Sequence, residues 1–172
     1  MKIFRLLFFS GLFLFLLVTG ISLFIPSNIR ISKAINIAAP ADTVFKQLNE
    51  PLKWKNWFPG LESSIPFYET GVAKGVMVSD SSKQYIRITE SKKDEVITEL
   101  GSGSKKLISG WKLINHAQSD STTLQWYMDF TLRWYPWEKF SSLLFEKSYG
   151  LTMEKGLNNI KKLSEADRTS SN

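Results

Sequence analysis

The sequence predicts an α+β fold: a curved antiparallel sheet wrapped around a C-terminal helix, preceded by an N-terminal transmembrane helix. Three observations carry this reading. Within 136–163, Phe140, Leu143, Leu144, Phe145, Leu151, Met153, Leu157, Ile160 and Leu163 lie mostly three or four residues apart, the mark of an amphipathic helix. Between 29 and 133, short period-two segments alternate with polar or glycine-containing turns, which indicates antiparallel hairpins rather than βαβ units. From Leu6 to Ile25 no charged residue occurs, and twenty residues at helical rise span about 30 Å, a bilayer core. The only large apolar partner for the C-terminal stripe is the strand-rich middle, and a sheet curved around a helix can leave a cavity between them.

The N-terminal run is bounded by Lys2 and Arg5 on one side and by Arg30 and Lys33 on the other. A cleaved signal peptide is the competing reading, with Val18 and Gly20 as its small-residue site. The run continues through Ile21, Leu23, Phe24 and Ile25 without an A-x-A pattern, so an uncleaved single-pass anchor over 1–28 is expected. The slight charge bias leans toward the amino terminus inside and the domain on the extracytoplasmic side. Beyond Pro26, the isoleucines at 29, 31, 35 and 37 alternate with Arg30, Ser32, Ala34 and Asn36, a first strand with one buried face. Pro40 and Asp42 suit the first turn of a helix whose inner face is Val44, Phe45 and Leu48. Pro51 ends it, and 52–60 reads as a second short helix closed by Pro59-Gly60.

A turn-rich lead at 69–75 precedes expected strands at about 76–80, 83–90, 95–100, 107–116 and 123–133. In the last of these Leu124, Trp126, Met128, Phe130 and Leu132 alternate with Gln125, Tyr127, Asp129, Thr131 and Arg133. That register predicts Trp126, Met128 and Phe130 buried, with Tyr127, Asp129 and Arg133 exposed. Gly150 interrupts the C-terminal pattern, so helices at about 137–148 and 151–164 with a break between them are expected. The polar tail 165–172 reads as disordered.

Several function classes are excluded or disfavoured by composition. The chain has no cysteine, which removes disulfides, thiol nucleophiles, lipoprotein attachment and thiolate metal sites. With one histidine, His116, a multi-imidazole metal site is impossible, and a surface or structural role is expected for it. The net charge of +6 is interleaved rather than clustered, so no nucleic-acid stripe is seen, and a mild attraction to anionic lipid explains it equally well. The segment Gly101-Ser102-Gly103-Ser104 has neither the phosphate-loop ending nor the nucleophile-elbow order, and reads as a hairpin turn. By strand parity, Asp129, Glu90, Glu95 and Glu99 face away from the cavity or sit at strand ends, so no convergent acid–base pair is found.

The residues Ile35, Ile37, Ala39, Pro40, Val44 and Phe45, followed by Trp54, Trp57 and Pro59, resemble the SRPBCC (START/Bet v 1-like) superfamily. Within it, the chain is most similar to the polyketide cyclase/dehydrase-like branch. The segment from Met153 and Glu154 through Gly156, Leu157, Ile160, Lys161 and Leu163 resembles the family's closing helix, and the join at Ile25-Pro26-Ser27 resembles its membrane-anchored members. The resemblance covers 29–164 and implies a helix-grip fold with a cavity between sheet and closing helix. It places Trp54, Trp57 and Phe58 beside the cavity mouth, and Trp111, Trp126, Met128 and Phe130 pointing inward from the sheet. The aromatics Trp134, Tyr135 and Trp137 mark the corner before the C-terminal helices.

These seven residues are the expected ligand-binding set, with no catalytic residue, metal or cofactor. The plainer account is that large aromatics simply fill a core. Three readings follow: a monomeric, membrane-anchored module binding a hydrophobic or amphipathic small molecule or lipid; a cyclase, aromatase or dehydratase; and a structural envelope-interaction domain.

Overall fold

The structure, a computed structural model, describes residues 2–79, 83–116 and 120–170. The expected position Asp80, the turn residue Gln118 and residues 171–172 lie outside the described residues. The uncharged run forms α1 (Lys2–Ser22), whose large apolar side chains from Ile3 to Leu17 are exposed. It is apolar and long enough to cross a membrane. Its C-terminal end is held against α3 (Pro136–Ser142), where the buried Lys139 Nζ donates to Ile25 O at 2.5 Å and to Ser27 Oγ at 2.9 Å.

Strand β1 (Asn28–Ile37) leads to α2 (Ala41–Asn49) and a 3-10 helix at Pro51–Asn56. Six strands follow: β2 (Ile65–Glu69), β3 (Val72–Met77), β4 (Gln84–Lys92), β5 (Glu95–Ser102), β6 (Lys105–Asn115) and β7 (Thr122–Thr131). They form one seven-stranded antiparallel sheet in the order β1-β7-β6-β5-β4-β3-β2. Neighbours in the sheet are neighbours in sequence except for β1, which pairs with β7 from Asn28↔Thr131 to Ile37↔Thr122. The closing helix α4 (Phe145–Ser170) lies across the inner face, completing a helix-grip fold.

Four features depart from the expectations. An unexpected strand, β2, precedes the turn-rich lead, and β3 begins within it: Thr70 (φ 50°) and Gly71 (φ 80°) make a two-residue turn between them. Pro66, Gly75 and a threonine in the left-handed region disguise this hairpin in sequence. The C-terminal pattern breaks at Leu143–Leu144, not at Gly150, which lies inside α4. At Gly150 a Cβ would sit 3.2 Å from Lys33 Cε, so the glycine lets the Lys33 stem cross the helix. Lys33, the one charge on the inward parity of β1, then reaches Glu146 at 2.7 Å and Glu154 at 3.1 Å.

The tail is helical through Ser170 because it has partners on the domain. Glu165 accepts from Ala38 N at 2.9 Å, Gln47 donates to Asp167 at 2.8 Å, and Arg168 donates to Ala38 O at 3.0 Å. Finally, Tyr127 is buried although it lies on the outer face. Gly110 opposite it leaves a hole, where a Cβ would be 2.4 Å from the ring, and the Arg30 guanidinium covers the ring at 4.2 Å.

Candidate functional site

The space between sheet and α4 divides into a filled half and an open half. In the filled half Trp54, Trp57, Phe58, Trp111 and Trp126 form one cluster with ring centroids 4.9–6.3 Å apart. None is more than 7% exposed. The indoles of Trp54 and Trp57 donate to Leu48 O at 2.8 Å and Gln47 O at 3.2 Å, taking up carbonyls of the last turn of α2. The Trp126 indole donates to Ser109 Oγ at 2.8 Å, and that hydroxyl donates to Tyr127 O at 3.0 Å. Helix α4 presents Gly156 here, where a Cβ would lie 2.5 Å from the Trp126 ring and 3.2 Å from Pro59. The helix backbone can therefore close directly onto tryptophan.

In the open half the N-terminal turns of α4 present Phe145 and Tyr149, one turn apart on one side of the helix. They pack on Phe130 of β7, with centroids 4.6 Å and 4.9 Å away. These bulky rings stand between helix and sheet, and beside them lies a cleft of about 890 Å³. Its apolar wall includes Phe58, Leu61, Ile86, Leu100 and Leu107 together with the three-ring group. Its rim is polar: Ser102, Ser104, Lys105 and Lys106 from the β5–β6 hairpin face Arg133, Glu138 and Ser141. Pockets of this size and character suit an apolar body with a polar end.

The rim is electrostatically arranged from the outer face. Tyr85 donates to Glu99 Oε1 at 2.8 Å, and Lys106 and Arg87 pair with the same carboxylate at 3.2 Å and 3.3 Å. The Tyr85 hydrogen bond, helped by Lys106 and Arg87, holds the Glu99 carboxyl below the usual carboxylate range despite burial. The same bond pushes the Tyr85 hydroxyl up. Glu99 is thus kept ionised and engaged behind the rim. Glu138, the carboxylate among the described lining residues, accepts from Arg133 N at 2.9 Å.

The expected ligand-binding residues separate accordingly. Phe58 and Phe130 line the cleft, whereas Trp54, Trp57, Trp111, Trp126 and Met128 belong to the packed core. Trp57 and Phe58, expected beside the cavity mouth, are 1% and 7% exposed, because the two indole bonds to α2 draw this segment inward. The cleft residues missed in sequence are chiefly Leu100, Leu107 and Tyr149; the pair Phe145–Tyr149, four apart on the helical stripe, was the available signal. Asp129 faces outward and makes two bonds to Arg30, at 2.6 Å and 2.7 Å. His116 shares a 2.8 Å hydrogen bond with Thr123 at the exposed sheet surface. Among the described residues no group of three or more His, Cys, Asp or Glu could hold a metal ion.

Comparison with known proteins agrees with this fold. Residues 28–165 match a family described as polyketide cyclase / dehydrase and lipid transport. No curated protein matches the chain in sequence. Among solved structures, the Zhui aromatase/cyclase of a Streptomyces species is similar, with 18% identity over 80% of this chain and 94% of that one, at a TM-score of 0.58. Norcoclaurine synthase from Thalictrum flavum is similar at 13% identity over 82% and 96%, with a TM-score of 0.61. XoxI from Bacillus cereus is similar at 12% identity over 78% and 94%, with a TM-score of 0.57. These likenesses concern the fold, and the family match takes in the sheet and most of α4; the chain belongs to the polyketide cyclase / dehydrase and lipid transport family.

Proposed function

We propose that this chain is a membrane-anchored binding module, with residues 1–28 as anchor and linker and 29–164 as a domain that holds an amphipathic, lipid-like or polycyclic molecule without transforming it. The observation that carries this is the cleft of about 890 Å³, whose apolar wall ends in a rim bearing Lys105, Lys106 and Arg133. An apolar body would lie against Phe130, Phe145 and Tyr149, and an anionic or polar end would meet the rim. Binding rather than turnover is favoured because, among the described lining residues, Glu138 is the one carboxylate, and it accepts a hydrogen bond from Arg133 N. The apolar, exposed α1 supports anchoring, and the charge bias of its flanks favours the domain on the extracytoplasmic side.

The test is native mass spectrometry of the detergent-extracted full chain, joined to displacement of a fluorescent fatty acid. A co-purified amphiphile and displacement that weakens in Phe145→Ala are expected. No displaceable binding by the wild-type chain would overturn the reading.

A further inference from the structure

We infer that α3 and its flanks form a foot that rests in the headgroup layer of the same membrane, so that the rim of the cleft stands at the leaflet surface. This rests on the anchoring reading above. The uncharged run ends at Ile25, and Lys139 of α3 is hydrogen-bonded to Ile25 O at 2.5 Å and to Ser27 Oγ at 2.9 Å. Thus α3 lies one hydrogen bond from the point where the span leaves the hydrocarbon.

What this short helix and its flanks expose is unusual for a water-facing surface. Trp134 and Trp137 are each 63% exposed, and Leu143 and Leu144 in the following turn are 66% and 62% exposed. Tyr135 sits between the two indoles, 4.9 Å from Trp134 and stacked at 4.8 Å and 7° on Trp137. Exposed apolar side chains gathered within so short a stretch mark an interaction surface, and tryptophan and tyrosine concentrate where membrane meets water. The occupant is fixed by continuity with the uncharged run, whose Leu23 and Phe24, in the turn just past α1, are themselves 73% and 91% exposed. Arg133, Glu138, Ser141 and Phe145, interleaved with the patch residues in sequence, line the cleft. The foot therefore does two things at once: it grips the interface, and it forms the cleft wall nearest the lipid. An amphiphile would pass from leaflet to cleft without crossing bulk water.

The experiment reconstitutes the full chain into phosphatidylcholine–phosphatidylglycerol vesicles containing lipids brominated near the headgroup. Trp54, Trp57, Trp111 and Trp126 are at most 1% exposed, so Trp134 and Trp137 are the indoles that bromine can reach. Flotation with the vesicles and quenching that is lost in the Trp134→Phe/Trp137→Phe variant are expected. Because the chain has no cysteine, a Leu144→Cys variant carrying an environment-sensitive fluorophore gives a second reading, a blue shift on vesicle binding. A chain that does not float overturns the anchor and the foot together. A chain that floats while aqueous iodide, and not lipid bromine, quenches the exposed pair overturns the foot alone, as does a Leu144 label without a shift.

Discussion

The five-ring cluster around Trp126 and the three-ring group of Phe130, Phe145 and Tyr149 meet the same helix, α4, about two turns apart. Both draw an aromatic residue from β7 on the same inward parity. They differ in what the helix offers. At Gly156 there is no side chain, the backbone closes onto Trp126, and the space is solid. At Phe145 and Tyr149 the helix itself carries the rings, which are only partly buried and border a cleft. Whether an aromatic fills or lines is decided here by its partner across the gap, and its own identity is secondary.

That contrast can be broken most directly by truncation. Trp126→Ala should cost about 3–5 kcal/mol in a urea melt, as deletion of a fully buried large aromatic does. A next effect is expected from Gly156→Ala, whose new methyl collides with the Trp126 ring and should cost about 1–3 kcal/mol. A neutral outcome there would show that α4 can stand off from the tryptophans, against the close approach described above. Phe145→Ala should cost at most about 2 kcal/mol, because the ring is only partly buried, yet weaken dye displacement. If it proved as costly as Trp126→Ala without affecting displacement, the open half would be core and the contrast would vanish.

Two smaller effects sharpen the picture around the same strand. Burial, then the hydrogen bond donated to Glu95 at 2.9 Å, push the Tyr127 hydroxyl up to about 12. The folded value lies above the ordinary one of about 10, so this contribution to stability is complete below pH ~10 and is lost as pH rises through ~12. Denaturation measured against alkaline pH should show that loss in the wild type, and Tyr127→Phe should flatten it. The smallest change is expected at Trp111, whose indole N–H is buried without a hydrogen-bond partner in the structure. Trp111→Phe removes the N–H along with some ring volume, and a thermal melt should show far less loss than for Trp126→Ala, since the Trp126 indole has a partner in Ser109.

Much of this protein was legible in the order of its residues. The period-two pattern of β7 put Trp126 and Met128 inside and Asp129 outside, because side chains alternate across a sheet and a buried face tolerates one register. The uncharged run marked α1, and the motifs around Pro40 and Trp57 pointed to the family that the 28–165 match shows. These are local signals, carried by residues within a few positions of one another.

What the tertiary structure alone decided involves pairs distant in sequence. Gly150 reads as a helix break until Lys33, from the first strand, is found lying across it. The polar tail reads as disordered until Ala38 and Gln47 are found waiting for Glu165, Asp167 and Arg168. Tyr127 reads as exposed until Gly110 opens a hole beneath it and Arg30 covers it. The cleft belongs to the same class: periodicity states which side chains face inward, but whether the opposing surface reaches them depends on side-chain volumes summed across sheet and helix. Glycine at 156 closes that gap and the rings at 145 and 149 hold it open, and no window along the chain contains both sides of it.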